Sequence, residues 1–342
     1  MMKTASRFLG HGRDVFAIFV YAGILILGAF LPRWLTTEYY LRVIVYAMVN
    51  SVIALGLNFA VGVAGQINLG QAVFVGLGAY VLAILTQKLK APWIPSVGAA
   101  LLTTALLGTA LGWMSNRLRG PYLAVTTLAT NLIFYLVASH EVWLTGGPMG
   151  IRIPWANVPK VFGAALEIRN VYYIVWGSLA ILLFLGKLIY QSKIGRSFRA
   201  VRDDETVAAL MGVNVVQTKM WACTICALYG GIGGALYVLT FRFVAPSEFT
   251  ALQSFRYLAM ITIGGLGNLN GSVLGSFAVT LVPEFLRFVQ GYWDIILGVS
   301  IIGVLLLFPK GLGFIGEYLS RLLAPKKVEV RWTGEFQFPE AK

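Results

Sequence analysis

Cys223 and Cys226 stand three residues apart, the spacing of a dithiol redox pair or of half a zinc site. A zinc ion needs further thiolate or imidazole ligands, and the chain's two histidines, His11 and His140, lie far from the pair in sequence. Both thiols fall within one apolar run, so they read as buried side chains packing as small hydrophobes. His140 and Glu141 make one adjacent acid–base pair, but neighbours on a helix do not share a face. Catalysis would need a denser convergence of such groups, so an enzyme is not expected. No Gly-x-x-x-x-Gly-Lys-Ser/Thr loop offers a cradle for nucleotide phosphates. The chain is therefore expected to hold no cofactor, with any ATP bound by partner subunits. Glu284, Arg287 and Asp294 form the densest ionisable group beside an apolar stretch, where a stand-alone ion-coupled transporter would place coupling charges. The topology given below puts them instead on the outer rim.

Uncharged polar groups offer a different chemistry. Gly65-Gln66-Ile67-Asn68-Leu69-Gly70 is echoed by Gly267-Asn268-Leu269-Asn270-Gly271, each following one apolar run and preceding another rich in small residues. Glycine-interrupted segments at corresponding places in two halves of a membrane protein point to a translocation route. Gln66, Asn68, Gln71, Asn268 and Asn270, with freed backbone amides and carbonyls, could solvate a polar solute there. The alternative is a pair of Gly/Asn turns at the membrane surface.

One charged loop, 191–220, interrupts otherwise apolar sequence. Lys193, Arg196, Arg199 and Arg202 recur every third residue and suit anionic head groups at the membrane edge. Asp203, Asp204 and Glu205 follow at once, as acidic residues do at a helix start. The helix they open carries Val207, Ala208, Leu210 and Met211, with Gly212 or Asn214 to stop it. A short helix with small apolar knobs suits a shallow groove on a cytosolic partner.

The elements that must position these groups are membrane helices. Of 342 residues, 58% are hydrophobic and 12% charged, half the charge of a soluble domain, which is about 25%. Apolar runs able to cross about 30 Å of hydrocarbon lie near 15–32, 42–62, 68–87, 94–114, 122–144, 171–190, 221–243 and 292–309. Segments 1–14, 115–121, 187–220 and 309–342 hold well over half of the 27 Lys and Arg residues, so both termini and the charged loop are expected in the cytosol. With eight crossings, 255–289 must re-enter or cross twice, as two short helices meeting at the Gly/Asn turn. The expected fold is an all-α polytopic bundle of about eight full spans plus this broken segment. Residues 1–312 form the permease domain. Residues 313–342 form a cytosolic amphipathic segment (Phe314–Leu323) and a polar tail. A net charge of +13 concentrates in segments facing anionic lipid, so membrane lipid is expected as a partner and nucleic acid is not. Gly108/Gly112 and Gly271/Gly275 carry the four-residue spacing of close helix contacts in lipid.

Glu205, Ala208, Ala209 and Gly212 resemble the Glu-Ala-Ala…Gly coupling helix of ATP-binding-cassette importer permeases, with two residues inserted after the glutamate. That insertion, together with the stretches at 55–80, 117–129, 144–151, 260–275 and 305–312, resembles the LivM-type permeases of branched-chain amino acid importers over about residues 40–312. Gln71 stands where members often carry His. The resemblance implies a permease in a bacterial inner membrane, paired with a second, LivH-like permease, two cytosolic ATPase subunits and a periplasmic solute-binding protein. It gives Asp203, Asp204, Glu205, Ala208, Ala209 and Gly212 the role of an ATPase-coupling segment. The solute it implies is a branched-chain or other amino acid, with urea and short amides as alternatives within the family.

Overall fold

The computed structural model describes residues 37–117, 121–154 and 167–285, together with Gly28 and Pro32. The expected spans at 15–32 (those two residues apart) and 292–309, the tail at 313–342, and Arg287 and Asp294 lie outside the described residues.

Helix α1 (Glu38–Asn58) passes without a break into a π turn, Phe59–Val63. After an irregular stretch come α2 (Gln71–Gln87), α3 (Trp93–Met114), α4 (Pro121–His140) and the single turn α5 (Val142–Thr145). Then follow β1 (Ile151–Arg152), α6 (Ile168–Gln191), α7 (Lys193–Asp203), α8 (Glu205–Leu210) and α9 (Val215–Phe241). β2 (Phe243–Val244), α10 (Ala251–Gly264) and α11 (Leu269–Phe285) complete the described chain. The two strands pair antiparallel, Ile151 against Val244, in a fold that is otherwise helical.

Five of these helices are long and apolar enough to cross a membrane: α1 with its π turn, α3, α4, α6 and α9. Helices α2, which is not among the five, and α9 start away from the expected apolar runs. Helix α2 has 17 residues, about 25 Å at 1.5 Å per residue, because residues 65–70 before it are irregular, with Gly65 at φ +71°. Helix α9 begins six residues earlier than the apolar run at 221, because the Asn214 side chain accepts the Gln217 N–H and starts it there.

α1 and α9 are buried along most of their lengths and form the centre. α3 packs along α9, α6 along α1 and α4 against α2, and the three turn Leu102, Leu106, Ile133, Leu136, Ile181 and Phe184 outward, the apolar exterior that lipid rewards. Small residues set the contacts, as packing without a hydrophobic drive requires. A β-carbon on Gly112 would lie 2.7 Å from Met220 Cα, and one on Gly108 would strike Ala227. The same contacts fix direction: the ends of α3, α7 and α8 lie with the start of α9. Tyr46 near the start of α1 meets Phe241 at the far end of α9.

α10 and α11 form a hairpin. A β-carbon on Gly264 would collide with the Gly271 carbonyl, and one on Gly275 with the Met260 carbonyl, so the two helices run in backbone contact. Glu284 near the end of α11 accepts from Tyr39 beside the start of α1. The hairpin thus enters and leaves at the end opposite α8, with its tip, Gly265–Asn268, pointing toward the α8 end. This is the pair of short helices expected between 255 and 289.

Candidate functional site

The π turn just before the first echoed loop meets the second loop at the hairpin tip. Gly62, in the π turn, comes so close to Gly267 at the hairpin tip that a β-carbon on Gly62 would strike the Gly267 nitrogen. Asn58, one helical turn before Gly62, holds the junction. Its Oδ1 accepts the Gly267 N–H at 2.8 Å, and its Nδ2 donates to the Asn268 carbonyl at 3.0 Å and to Ser272 Oγ at 2.6 Å. Irregular backbone away from water must be satisfied by protein groups, and this one buried amide serves two backbone groups and a serine hydroxyl.

From that junction a row of polar side chains runs along α9. Cys223 donates its S–H to Gln66 Oε1 at 2.9 Å, and Cys226 does the same to Gln71 Oε1 at 2.9 Å. Asn68 Nδ2 reaches Cys226 Sγ at 3.6 Å, and Gln71 Nε2 donates to the Ile53 carbonyl at 3.3 Å. The cysteines are unpaired and buried, as the sequence suggested, yet they are more than small hydrophobes. Each is the donor that satisfies a buried glutamine. Gln66 Nε2 itself is buried with no hydrogen-bond partner. Replacing Cys226 with valine should cost about 1–3 kcal/mol by stranding the Gln71 carbonyl oxygen, whereas serine should be tolerated. Thermal unfolding of the two variants in detergent measures this.

The other two proposed pathway residues sit differently. Asn268 Oδ1 accepts the Gly271 N–H at 3.0 Å, capping α11, and Asn270 is exposed. Asn68 Oδ1 likewise accepts the Gly70 N–H at 2.8 Å just before α2. Both asparagines thus bind local backbone, Asn268 as a helix cap and Asn68 in the turn that leads to Gly70. Thr127 Oγ1 accepts the Leu69 N–H at 3.0 Å, and Ser254 Oγ accepts both the Ala72 N–H and Asn131 Nδ2.

The charged segment forms two helices. Asp203 is the last residue of α7. Asp204 alone caps α8, accepting the Thr206 and Val207 N–H groups at 2.7 and 3.0 Å. The Val207 and Thr206 amides hold its carboxyl below the usual carboxylate range. Gly212, at φ +83°, ends α8 by placing the Val213 N–H on the Ala208 carbonyl. Asn214, the alternative stop, instead caps α9. Ala208 is buried and Ala209 exposed. Glu205 turns back to the bundle and pairs with Lys219 of α9 at 2.6 Å; the lysine side chain is only 6% exposed. Val207, Leu210 and Met211 face outward, the last two about four-fifths exposed.

Three of the four basic residues before α8 donate to protein carbonyls. Arg196 donates to the Gln191 carbonyl. Arg199 donates to the Tyr190 carbonyl at 3.0 Å and lies 4.5 Å over the Tyr190 ring. Arg202 donates to the Gly62 carbonyl. Helix carbonyls left free at a C-terminal end attract such cations, a partner that the three-residue spacing could not reveal. Asn58, Lys219 and Arg202 were all missed as site residues. For Asn58 a signal existed: it is a lone amide in the apolar run LGLNFAVG.

Residues 39–305 match the family described as branched-chain amino acid transport system / permease component. Among its relatives, the high-affinity branched-chain amino acid transport system permease protein LivM of Salmonella typhimurium is 28% identical over 287 residues, covering 78% of this chain and 68% of that protein. The autoinducer 2 import system permease protein LsrC of Escherichia coli O9:H4 is 23% identical over 314 residues, 87% of each chain. The LivH permease protein of Salmonella typhimurium is 23% identical over 283 residues, covering 77% of this chain and 90% of that protein. No solved structure matches the chain. These relatives are transport permeases and not enzymes. The match takes in both loops, the hairpin and the charged helices, and the chain belongs to the permease component family of branched-chain amino acid transport systems, as a LivM-like multi-pass membrane protein.

Proposed function

We propose that the chain is one of two permeases in a bacterial inner-membrane importer driven by ATP hydrolysis on cytosolic partners. Its solute is a branched-chain amino acid, delivered by a periplasmic binding protein. The LivM relatives support the solute class, and the LivH relative supports a second, similar permease beside it. The end bearing α7 and α8 is then cytosolic. The observation that carries the reading is α8 itself: Val207, Leu210 and Met211 form an outward apolar face on a helix anchored by a cap and an ion pair. Exposed apolar groups on a rigid, polar-rimmed element mark a docking surface.

The row of Gln66, Asn68 and Gln71 along α9 supports a route for a small zwitterion, with Asn268 and Asn270 at its inner end. Gln66 Nε2, buried without a partner, has hydrogen-bonding capacity to offer a passing solute. High affinity would reside in the binding protein, so weak polar contacts suffice here.

Replacing Leu210 with aspartate should leave the permease's own thermal stability unchanged, because the side chain is 82% exposed. It should reduce co-purification of the ATPase subunits at least about tenfold if Leu210 is an interface anchor, and abolish ATP-driven uptake of labelled leucine in proteoliposomes. Undiminished co-purification would refute the docking role of α8.

A further inference from the structure

Arg202, near the end of α7, reaches both echoed loops. Its Nη1 donates to the Gly62 carbonyl. The same nitrogen lies 3.2 Å from the place a β-carbon on Gly267 would take, and its Cγ lies 3.0 Å from the corresponding place on Gly65. The guanidinium thus sits where the π turn and the hairpin tip join.

We propose that Arg202 is the positioning residue that carries movement of the coupling helix to this junction. The inference rests on the proposed docking of an ATPase at α8. No slack separates the two ends of the linkage: α7 ends at Asp203 and α8 is capped by Asp204. α7 is seated firmly on the bundle, with Phe198 and Val201 buried beneath it. The other side of the contact is stiff as well, because Asn58 binds the π turn to the hairpin tip through three hydrogen bonds. A displacement of α8 therefore arrives at Gly62 and Gly267 together, through a planar group with a fixed fork of donors. A lysine would keep the charge and lose the fork. Two packings of such a junction, biased by a partner, are what a gate requires.

The test uses the assembled transporter with its ATPase subunits in nanodiscs, bearing a nitroxide label on Leu266→Cys at the exposed hairpin tip. ATP with vanadate should change the label's spectrum in the parent protein. Arg202→Ala should shrink that change about tenfold while ATP hydrolysis and subunit assembly persist, and Arg202→Lys should show an intermediate loss. An unchanged spectral response in Arg202→Ala would overturn the proposal. So would loss of assembly in both variants, which would make Arg202 a folding residue. If the parent complex fails to cross-link through Leu210→Cys to an ATPase subunit, the docking reading fails separately.

Discussion

Alanine at Gly62 should unfold the loop junction and, under the proposed function, eliminate uptake. The new carbon would occupy the space of Asn58 Oδ1 and press on the backbone nitrogen of Gly267. Overpacking a tight contact costs about 1–3 kcal/mol. Displacing the Asn58 amide adds about 1–3 kcal/mol for each buried partner left unmade. Gly177 is the control: it lies within α6 with no atom near its missing β-carbon, so alanine there should be neutral or slightly stabilising. Combining Gly62→Ala with Asn58→Ala should not restore the protein, because the collision with the Gly267 backbone persists. Thermal unfolding in detergent and ATP-driven leucine uptake measure both points. A Gly62→Ala protein with parental unfolding temperature would show that the two loops do not share this contact.

The helices were legible because hydrophobic runs of membrane length declare themselves through composition alone. The hairpin was legible for a similar reason, since Gly264 to Gly271 breaks an apolar stretch at its middle. What composition could not supply were the long-range pairings. Asn58 meets Ser272 more than two hundred residues away, and nothing local marks the choice. The same holds for Cys223 and Cys226. Their three-residue spacing puts both on one face of α9, but only the fold brings Gln66 and Gln71 to that face. The start of α9 was misjudged because Gln217, Thr218 and Lys219 look like loop residues. Lys219 is tolerated on a buried helix because Glu205 neutralises it. A charge that is costly alone is acceptable when paired, and pairing across helices is invisible in a linear pattern.

That pair also separates stability from coupling. Removing Glu205 as glutamine leaves Lys219 buried beside a neutral partner. Breaking a fully buried pair costs about 3–5 kcal/mol, and partial exposure of Glu205, 44% for its side chain, reduces the expected loss to about 1–3 kcal/mol. Lys219→Met removes the charge while keeping an unbranched apolar stem, so it should be nearly neutral for unfolding. The double variant should then regain most of the stability lost by Glu205→Gln, because no buried charge is left unpaired. Uptake should follow a different course. Both single variants and the double variant detach α8 from α9, so under the proposed function the ATPase partners of all three should hydrolyse ATP with little transport. A double-mutant cycle run in parallel on unfolding temperature and on leucine moved per ATP distinguishes the two roles. Recovery of stability without recovery of transport is expected. Recovery of both would reduce the Glu205–Lys219 bridge to a fastening that the motor does not use.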